Sequence, residues 1–148
     1  MPENNETTNY ELAAMNAAPV YTLECMSTIG ADTVEDKKRA LRAKNAAGSL
    51  ARRFAPGEPF EVVDILQTRG TIRSRQAGVP DKPCVNTYFL LSDGTAVMSQ
   101  SSGIAQSAQD LMTLFPGLGR DTEEGCLLVA VSERQLDNGN TIKSVIPV

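Results

Sequence analysis

Four cationic residues lie close together near the middle of the chain: Arg69, Arg73, Arg75 and Lys82. The arginines stand at alternate or near-alternate positions, where a segment rich in valine and isoleucine runs into one broken by glycine and proline. A row of cations like this could contact successive phosphate groups of a nucleic acid, and each neutralised phosphate adds a salt-dependent contribution to binding. An ordinary charged loop would carry the same residues, and the sequence leaves both interpretations open.

A flat side chain that could stack on a base follows this basic segment. Tyr88 and Phe89 are neighbours in a segment of strand composition, so their side chains must point to opposite faces of the strand. Phe89 shares its parity with Val85 and Leu91 and is predicted to lie in the core. Tyr88 shares its parity with the polar Asn86, which predicts a place on the binding face. A partly buried tyrosine is the alternative interpretation.

Two further groups of cations are candidates for the same kind of contact. Arg134 and Lys143 flank the last predicted turn of the chain and are predicted to close the binding groove. A second basic cluster precedes the first barrel strand and comprises Lys37, Lys38, Arg39, Arg42 and Lys44. With Glu35 and Asp36 beside it, this cluster is typical of a solvated helix face, and the sequence leaves open whether it extends a nucleic-acid footprint.

The residue types that usually carry catalysis are scarce. The chain has no histidine, which removes Ser-His and Cys-His nucleophile pairs as well as the commonest metal ligand. Cys25, Cys84 and Cys126 are far apart and lack the clustered spacing of a zinc site, so they are expected to be buried, reduced thiols. We therefore predict a protein that is not an enzyme, with no metal and no cofactor.

The distribution of charge favours a nucleic-acid partner despite a net charge of −4. Residues 1–36 carry seven acids and no base, and residues 83–148 carry three bases and seven acids. Between them, residues 37–82 carry eleven bases and four acids. Nucleic-acid binding depends on the local field rather than on the total charge, so a binding surface is expected within the basic middle segment.

Periodicity and turn residues divide the chain into elements. Residues 1–18 are polar and acidic, which is typical of a disordered tail. A short strand is predicted at 20–28 and a helix at 32–54, capped by Asp32 or Thr33 and interrupted by Gly48. Strands are then predicted at 60–71, 84–91, 95–100, 126–135 and 141–148, and a helix capped by Ser101 or Ser102 is predicted to run to about 115. The Asp93-Gly94 pair predicts a tight hairpin turn.

This order predicts a mainly β protein whose core is a five-stranded OB-fold barrel with a helix between strands 3 and 4. An N-terminal strand and helix, residues 20–55, are predicted to pack on the barrel of residues 60–148. Residues 19–148 would thus form one domain behind the tail of residues 1–18. No apolar run approaches membrane-spanning length, and the first residues lack the features of a signal peptide, so a cytoplasmic protein with no membrane partner is expected.

The residues also show a resemblance to a known family. The segments 86–89 (Asn-Thr-Tyr-Phe) and 93–95 (Asp-Gly-Thr) carry it, together with the final hairpin and these single positions: Pro56, Gly57, Glu61, Ile65, Gln67, Ala105, Ala108, Asp110 and Leu111. In this order and spacing, residues 21–148 are similar to the small single-stranded-DNA-binding proteins of protein-primed bacteriophages, the phi-29-like group. The resemblance implies a replication protein that coats displaced single strands in the cytoplasm of an infected bacterium and needs no cofactor.

The resemblance also defines what this chain lacks. In the family, tyrosines near the end of the first barrel strand and after the Asp-Gly turn take part in DNA binding, and Thr68 and Val97 occupy the corresponding positions here. The implied partner is single-stranded DNA, and replication proteins and further copies of the chain remain open as partners. The alternative function is an OB-like protein-interaction module that acts on a host or replication protein.

Overall fold

A computed structural model describes residues 24–148 of the chain. The predicted tail, residues 1–18, and the first part of the predicted strand at 20–28 lie outside the described residues. The rest of that strand is short, with Ser27 forming an antiparallel bridge to Leu66. The backbone amide of Thr28 donates to the Ile65 carbonyl at 2.9 Å, so this segment pairs with the strand that contains Ile65.

Ten regular elements follow one another in the described chain. They are α1 (Val34–Ala46), β1 (Gly48–Ser49), α2 (Leu50–Arg53), β2 (Phe60–Ile72), β3 (Lys82–Leu91), β4 (Ala96–Ser99), α3 (Ser102–Leu114), a 3₁₀ helix (Leu118–Asp121), β5 (Leu127–Gln135) and β6 (Thr141–Pro147). The five barrel strands, β2 to β6, and the helix after the third of them were all predicted from the sequence. The predicted helix at 32–54 is divided in two, because the chain is extended in β1 at Gly48, where the sequence predicted an interruption.

The sheet is a curled half-barrel of six strands in the order β1-β4-β3-β2-β5-β6. The long strand β2 pairs antiparallel with β5 through Phe60–Val62 and with β3 through the rest of its length, with an irregularity between Val62 and Asp64. Because β2 pairs with two different strands and is irregular between them, the sheet bends around a core. The mainly β, OB-like barrel with a helix between its third and fourth strands is therefore confirmed.

Local signals explain where the elements begin and turn. The Thr33 hydroxyl accepts from the Asp36 amide at 3.1 Å and caps α1, and Ser101 caps α3 through the Ile104 amide in the same way. Gly94 has φ +87 in the predicted turn between β3 and β4. Beside it, hydrogen bonds from the Thr95 hydroxyl and amide and from Arg53 lower the pKa of Asp93 to about 2, so its carboxylate stays charged and ties α2 to this turn.

The core fills the inside of the curl. Phe89 is fully buried, and its ring meets Phe60 edge-on at 6.0 Å between centroids, while Phe54 stacks on Phe60 at 4.5 Å. The buried face of α3 plugs the curl with Ile104, Ala108, Leu111 and Met112. Burial of these apolar side chains is the main favourable contribution to the folding of the half-barrel.

A short strand and two helices cover the gap between β4 and β6. The outer edge of β4 pairs in parallel with the two residues of β1, and Leu50 of α2 lies in the core beside them. On the other side, the Ser107 hydroxyl of α3 accepts from the Val145 amide of β6 at 2.8 Å. The edge of β6 is thus engaged by α3 at this point, which limits its pairing with another chain.

A glycine makes the close approach of α3 to β6 possible. A Cβ placed on Gly103 would lie 2.2 Å from the backbone oxygen of Lys143. We expect Gly103→Ala to lower the free energy of unfolding by about 1–3 kcal/mol, because the helix must move away from the strand. Gly48→Ala is the matched control, since a Cβ there meets nothing within 4 Å. Equal urea midpoints for the two variants would contradict this packing.

Helix α1 packs across the outer face of the sheet. Its buried side presents Ala43, with Ala40 and Ala47 partly buried beside it, against Tyr88 and Leu90 of β3. Alanines let the helix approach the strands closely but bury little apolar surface, so polar contacts must help to hold it.

A buried carboxylate supplies those contacts. Asp64 of β2 is 2% exposed, and its side chain accepts a hydrogen bond from the Thr28 hydroxyl at 2.7 Å and another from Arg39 of α1. Arg120 of the 3₁₀ helix lies 3.8 Å away on the same carboxylate and also donates to the Thr28 carbonyl. Four separate segments therefore come together at the Asp64 carboxylate, and these contacts hold α1 on the sheet.

We expect Arg39→Met to lower the free energy of unfolding by about 1.5–3 kcal/mol, since a buried carboxylate loses a charged hydrogen-bond partner. Arg42→Met is the matched control. Arg42 pairs with Glu35 at 3.6 Å, but both side chains are exposed, so its loss should cost less than about 1 kcal/mol. Thermal melts of both variants at one pH make the comparison. A destabilisation by Arg42→Met as large as that by Arg39→Met would refute the assignment.

Candidate nucleic-acid interface

The predicted basic segment forms a two-stranded arm, which we define as residues 68–86. In it the end of β2 pairs with the start of β3, Arg69 opposite Val85 and Ile72 opposite Lys82. Cross-strand partners share a face and successive residues of a strand change face. Lys82 therefore lies on the face of its partner Ile72, which is opposite to the face of Arg69. Both side chains are exposed.

The loop at the tip of the arm presents the other two predicted cations. Arg73 and Arg75 are exposed, and the Asp81 carboxylate accepts from the Ser74 amide at 2.8 Å, which ties the two sides of the loop together. None of the four arm cations forms an ion pair with another described residue. A strand of phosphates can therefore meet them without first displacing a carboxylate from that part of the chain.

The cations at the last turn have different surroundings. Arg134 is exposed on the outer face of β5. Lys143 is partly buried on the inner face of β6, 3.7 Å from Glu133, and it lines a narrow cleft of about 70 Å³ against α2. Arg134 can contact a phosphate directly, whereas Lys143 must first leave its pair with Glu133.

The position of Tyr88 differs from the sequence-based expectation. Tyr88 and Phe89 do point to opposite faces, and Phe89 is in the core. However, Tyr88 is only 6% exposed, because α1 covers the face on which it lies. The alternative of a partly buried tyrosine describes the structure better, and the ring is not accessible to a base in this conformation.

No aromatic ring of residues 24–148 is fully exposed. Phe60, Tyr88 and Phe89 are buried, while Phe54 and Phe115 are half-buried against the core. The guanidinium of Arg53 also lies over the Phe54 ring at 5.3 Å. Within the described residues, charge and hydrogen bonding are therefore better placed than aromatic stacking to hold a single strand.

Thr68 and Val97, the two positions where the family has tyrosines, lie in different surroundings. Thr68 is half-buried on the outer face of the arm, beside Asn86. Val97 is fully buried inside the curl and packs in the core. Neither Thr68 nor Val97 offers an aromatic ring to a base.

The basic cluster at 37–44 separates into three groups. Arg39 is engaged with the buried Asp64, and Arg42 pairs with Glu35. Lys37, Lys38 and Lys44 are exposed and form no ion pair with a described residue. Sequence reasoning missed the structural role of Arg39, because the aspartate that binds it is 25 residues away.

No group of three or more histidine, cysteine, aspartate or glutamate side chains in residues 24–148 is placed to hold a metal ion. No helix of that part is long and apolar enough to cross a membrane.

The architecture defines the class: an OB-like half-barrel with a helical plug, a basic two-stranded arm and a helix on its outer face. The chain is 28% identical over 127 residues to the single-stranded DNA-binding protein of Bacillus phage B103. The alignment covers 86% of this chain and 98% of that protein. No family profile matches the chain. No solved structure matches it either. The resemblance to a phage single-stranded DNA-binding protein is thereby confirmed, and the narrower phi-29-like assignment stays a prediction.

Proposed function

We propose that this protein binds single-stranded DNA without reading its sequence and protects displaced strands during phage DNA replication. The observation that carries the proposal is the similarity to the phage protein, which extends over nearly the whole length of that relative. The OB-like barrel supports it, because this fold commonly binds oligonucleotides on one face of its sheet.

The arm is the proposed main contact with the DNA backbone. Arg69, Arg73, Arg75 and Lys82 are exposed and free of ion pairs among the described residues, so they can neutralise phosphates at little cost. Their long side chains reach either face of a thin ribbon, which suits a flexible single strand that can wrap around it. Contacts to phosphates carry no sequence information, which accounts for binding without sequence preference.

Arg134 and Lys143 are proposed as secondary contacts, with Arg134 the stronger because Lys143 is paired. Tyr88 would contribute to binding through the fold of β3 rather than as a stacking platform. Coating a strand requires no catalytic group and no cofactor, and we place the activity in the cytoplasm of an infected bacterium.

A titration compares the two DNA forms directly. The protein is titrated into fluorescent oligo-dT, a mixed-sequence strand of equal length and its duplex, all at the same salt concentration. We expect similar affinities for the two single strands and weaker binding to the duplex. Equal or tighter binding to the duplex would overturn the proposal, as would a strong preference for one of the single strands.

A further inference from the structure

Helix α1 has two flanks with different charge. At 100° per residue, Glu35 and Arg42 share one flank, and Lys37 and Lys44 share the opposite one. The first flank borders a groove that reaches the turn between β3 and β4 at Ser92. The second flank therefore faces the other end of the strands, where β2 and β3 continue into the arm.

The sheet beside the lysine flank is open. Met98 of β4 and Gln100, just after that strand, line a groove of about 320 Å³ there, and Ala47 and Gly48, just after the end of α1, form its other wall. Lys44 lies one turn before this wall. The groove is open to solvent and has Ser49, Ser99 and Gln100 in its lining, which suits a flexible chain better than a buried ligand.

Amide groups on the neighbouring strand continue this floor. Asn86 of β3 is half-buried, and its side-chain oxygen accepts a hydrogen bond from the side-chain amide of Gln100 at 3.0 Å. A Cβ on Gly70 would lie 2.5 Å from the Asn86 side chain, so the glycine leaves the room that Asn86 occupies. Lys82 shares the outer face with Asn86, because both stand at even positions of one strand.

Strand register and helix periodicity together define a path along the outer side of the sheet. It begins at Lys82 on the arm, passes the amides of Asn86 and Gln100, and reaches Lys44 and Lys37 on α1. No carboxylate of α1 lies on this side, since Glu35 is on the far flank and Asp36 turns towards Arg39.

We propose that this path is a second DNA-contact surface, in which Lys37 and Lys44 bind phosphates while the bases lie over the open floor. The proposal rests on the single-stranded DNA binding argued above and extends it to α1. It gives the lysines a function that is separate from the role of Arg39 in holding the helix, and it lengthens the DNA footprint beyond the arm.

Matched double variants of one helix test the proposal. Lys37→Gln with Lys44→Gln removes two charges from the proposed path, and Lys38→Gln with Arg42→Gln removes two charges from the rest of α1. Each phosphate contact to a single strand contributes a salt slope of about 0.7. The salt slope of the first variant should therefore fall by about 1.4, and its affinity for oligo-dT at 0.1 M salt should fall about 25-fold. The control should change by less than about threefold.

Acetylation of lysines with and without oligo-dT gives a second readout, in which bound DNA should protect Lys44 but not Lys38. Equal affinity losses in the two double variants, or equal protection of the two lysines, would overturn the role of α1 while DNA binding itself persists. Wild-type protein that fails to bind oligo-dT would instead overturn the proposed function and this inference together. Melting temperatures close to wild type for both variants exclude a loss of fold.

Discussion

Replacing Arg69, Arg73 and Arg75 together with glutamine is expected to lower the affinity for oligo-dT about 100-fold at 0.1 M salt. The reason is the loss of three phosphate contacts, which should also reduce the salt slope by about 2. The side chains are exposed, so the melting temperature should stay within a few degrees of wild type. A salt series by fluorescence anisotropy measures affinity and slope in one experiment.

Lysine at the same three positions is the control, because it keeps the charge and changes the shape of the donor. We expect the lysine variant to retain most of the affinity and the wild-type slope. An unchanged slope in the glutamine variant would show that the arm does not contact phosphates, and the basic segment would then be an ordinary charged loop.

We expect alanine substitutions at the neighbours Tyr88 and Phe89 both to destabilise the protein, although the sequence assigned Phe89 to the core and Tyr88 to the binding face. Phe89→Ala should lower the free energy of unfolding by about 3–5 kcal/mol, because a fully buried ring leaves a cavity in the core. Tyr88→Ala should also destabilise, by about 2–4 kcal/mol, since it removes the largest side chain beneath α1. Denaturant unfolding of both variants measures these losses.

Tyr88→Phe separates the ring from its hydroxyl and should change stability by less than about 1 kcal/mol. At temperatures where the variants remain folded, we expect their affinity for oligo-dT to stay close to wild type. A Tyr88→Ala protein that is as stable as wild type but binds DNA about tenfold more weakly would contradict this placement, and would show that the ring is exposed when DNA binds.

Much of the barrel could be predicted because its signals are local. The Asp93-Gly94 turn, the Ser101 cap and the core position of Phe89 each depend on a few adjacent residues, and all three predictions are confirmed. Short-range rules of this kind give strands, turns and the face of a strand that enters the core.

What could not be predicted depends on contacts between distant segments. The docking of α1 rests on a thin alanine face, whose periodicity is weak, and on Arg39 reaching the buried Asp64, a contact that local periodicity does not show. The burial of Tyr88 follows from that docking. The alternation of side chains along β3 could place the Tyr88 ring on the outer face of the sheet. Whether that face is covered depends on the position of α1.

The most direct test of the central claim is a chemical-shift titration of ¹⁵N-labelled protein with oligo-dT and, separately, with a duplex of the same length. Single-strand binding through the arm predicts shifts in the amides of residues 69–82 at low oligo-dT concentration, while core amides such as that of Phe89 stay in place. The duplex should need a much higher concentration to produce the same shifts. Binding of oligo-dT without any shift in the arm, or earlier shifts with the duplex, would contradict the account.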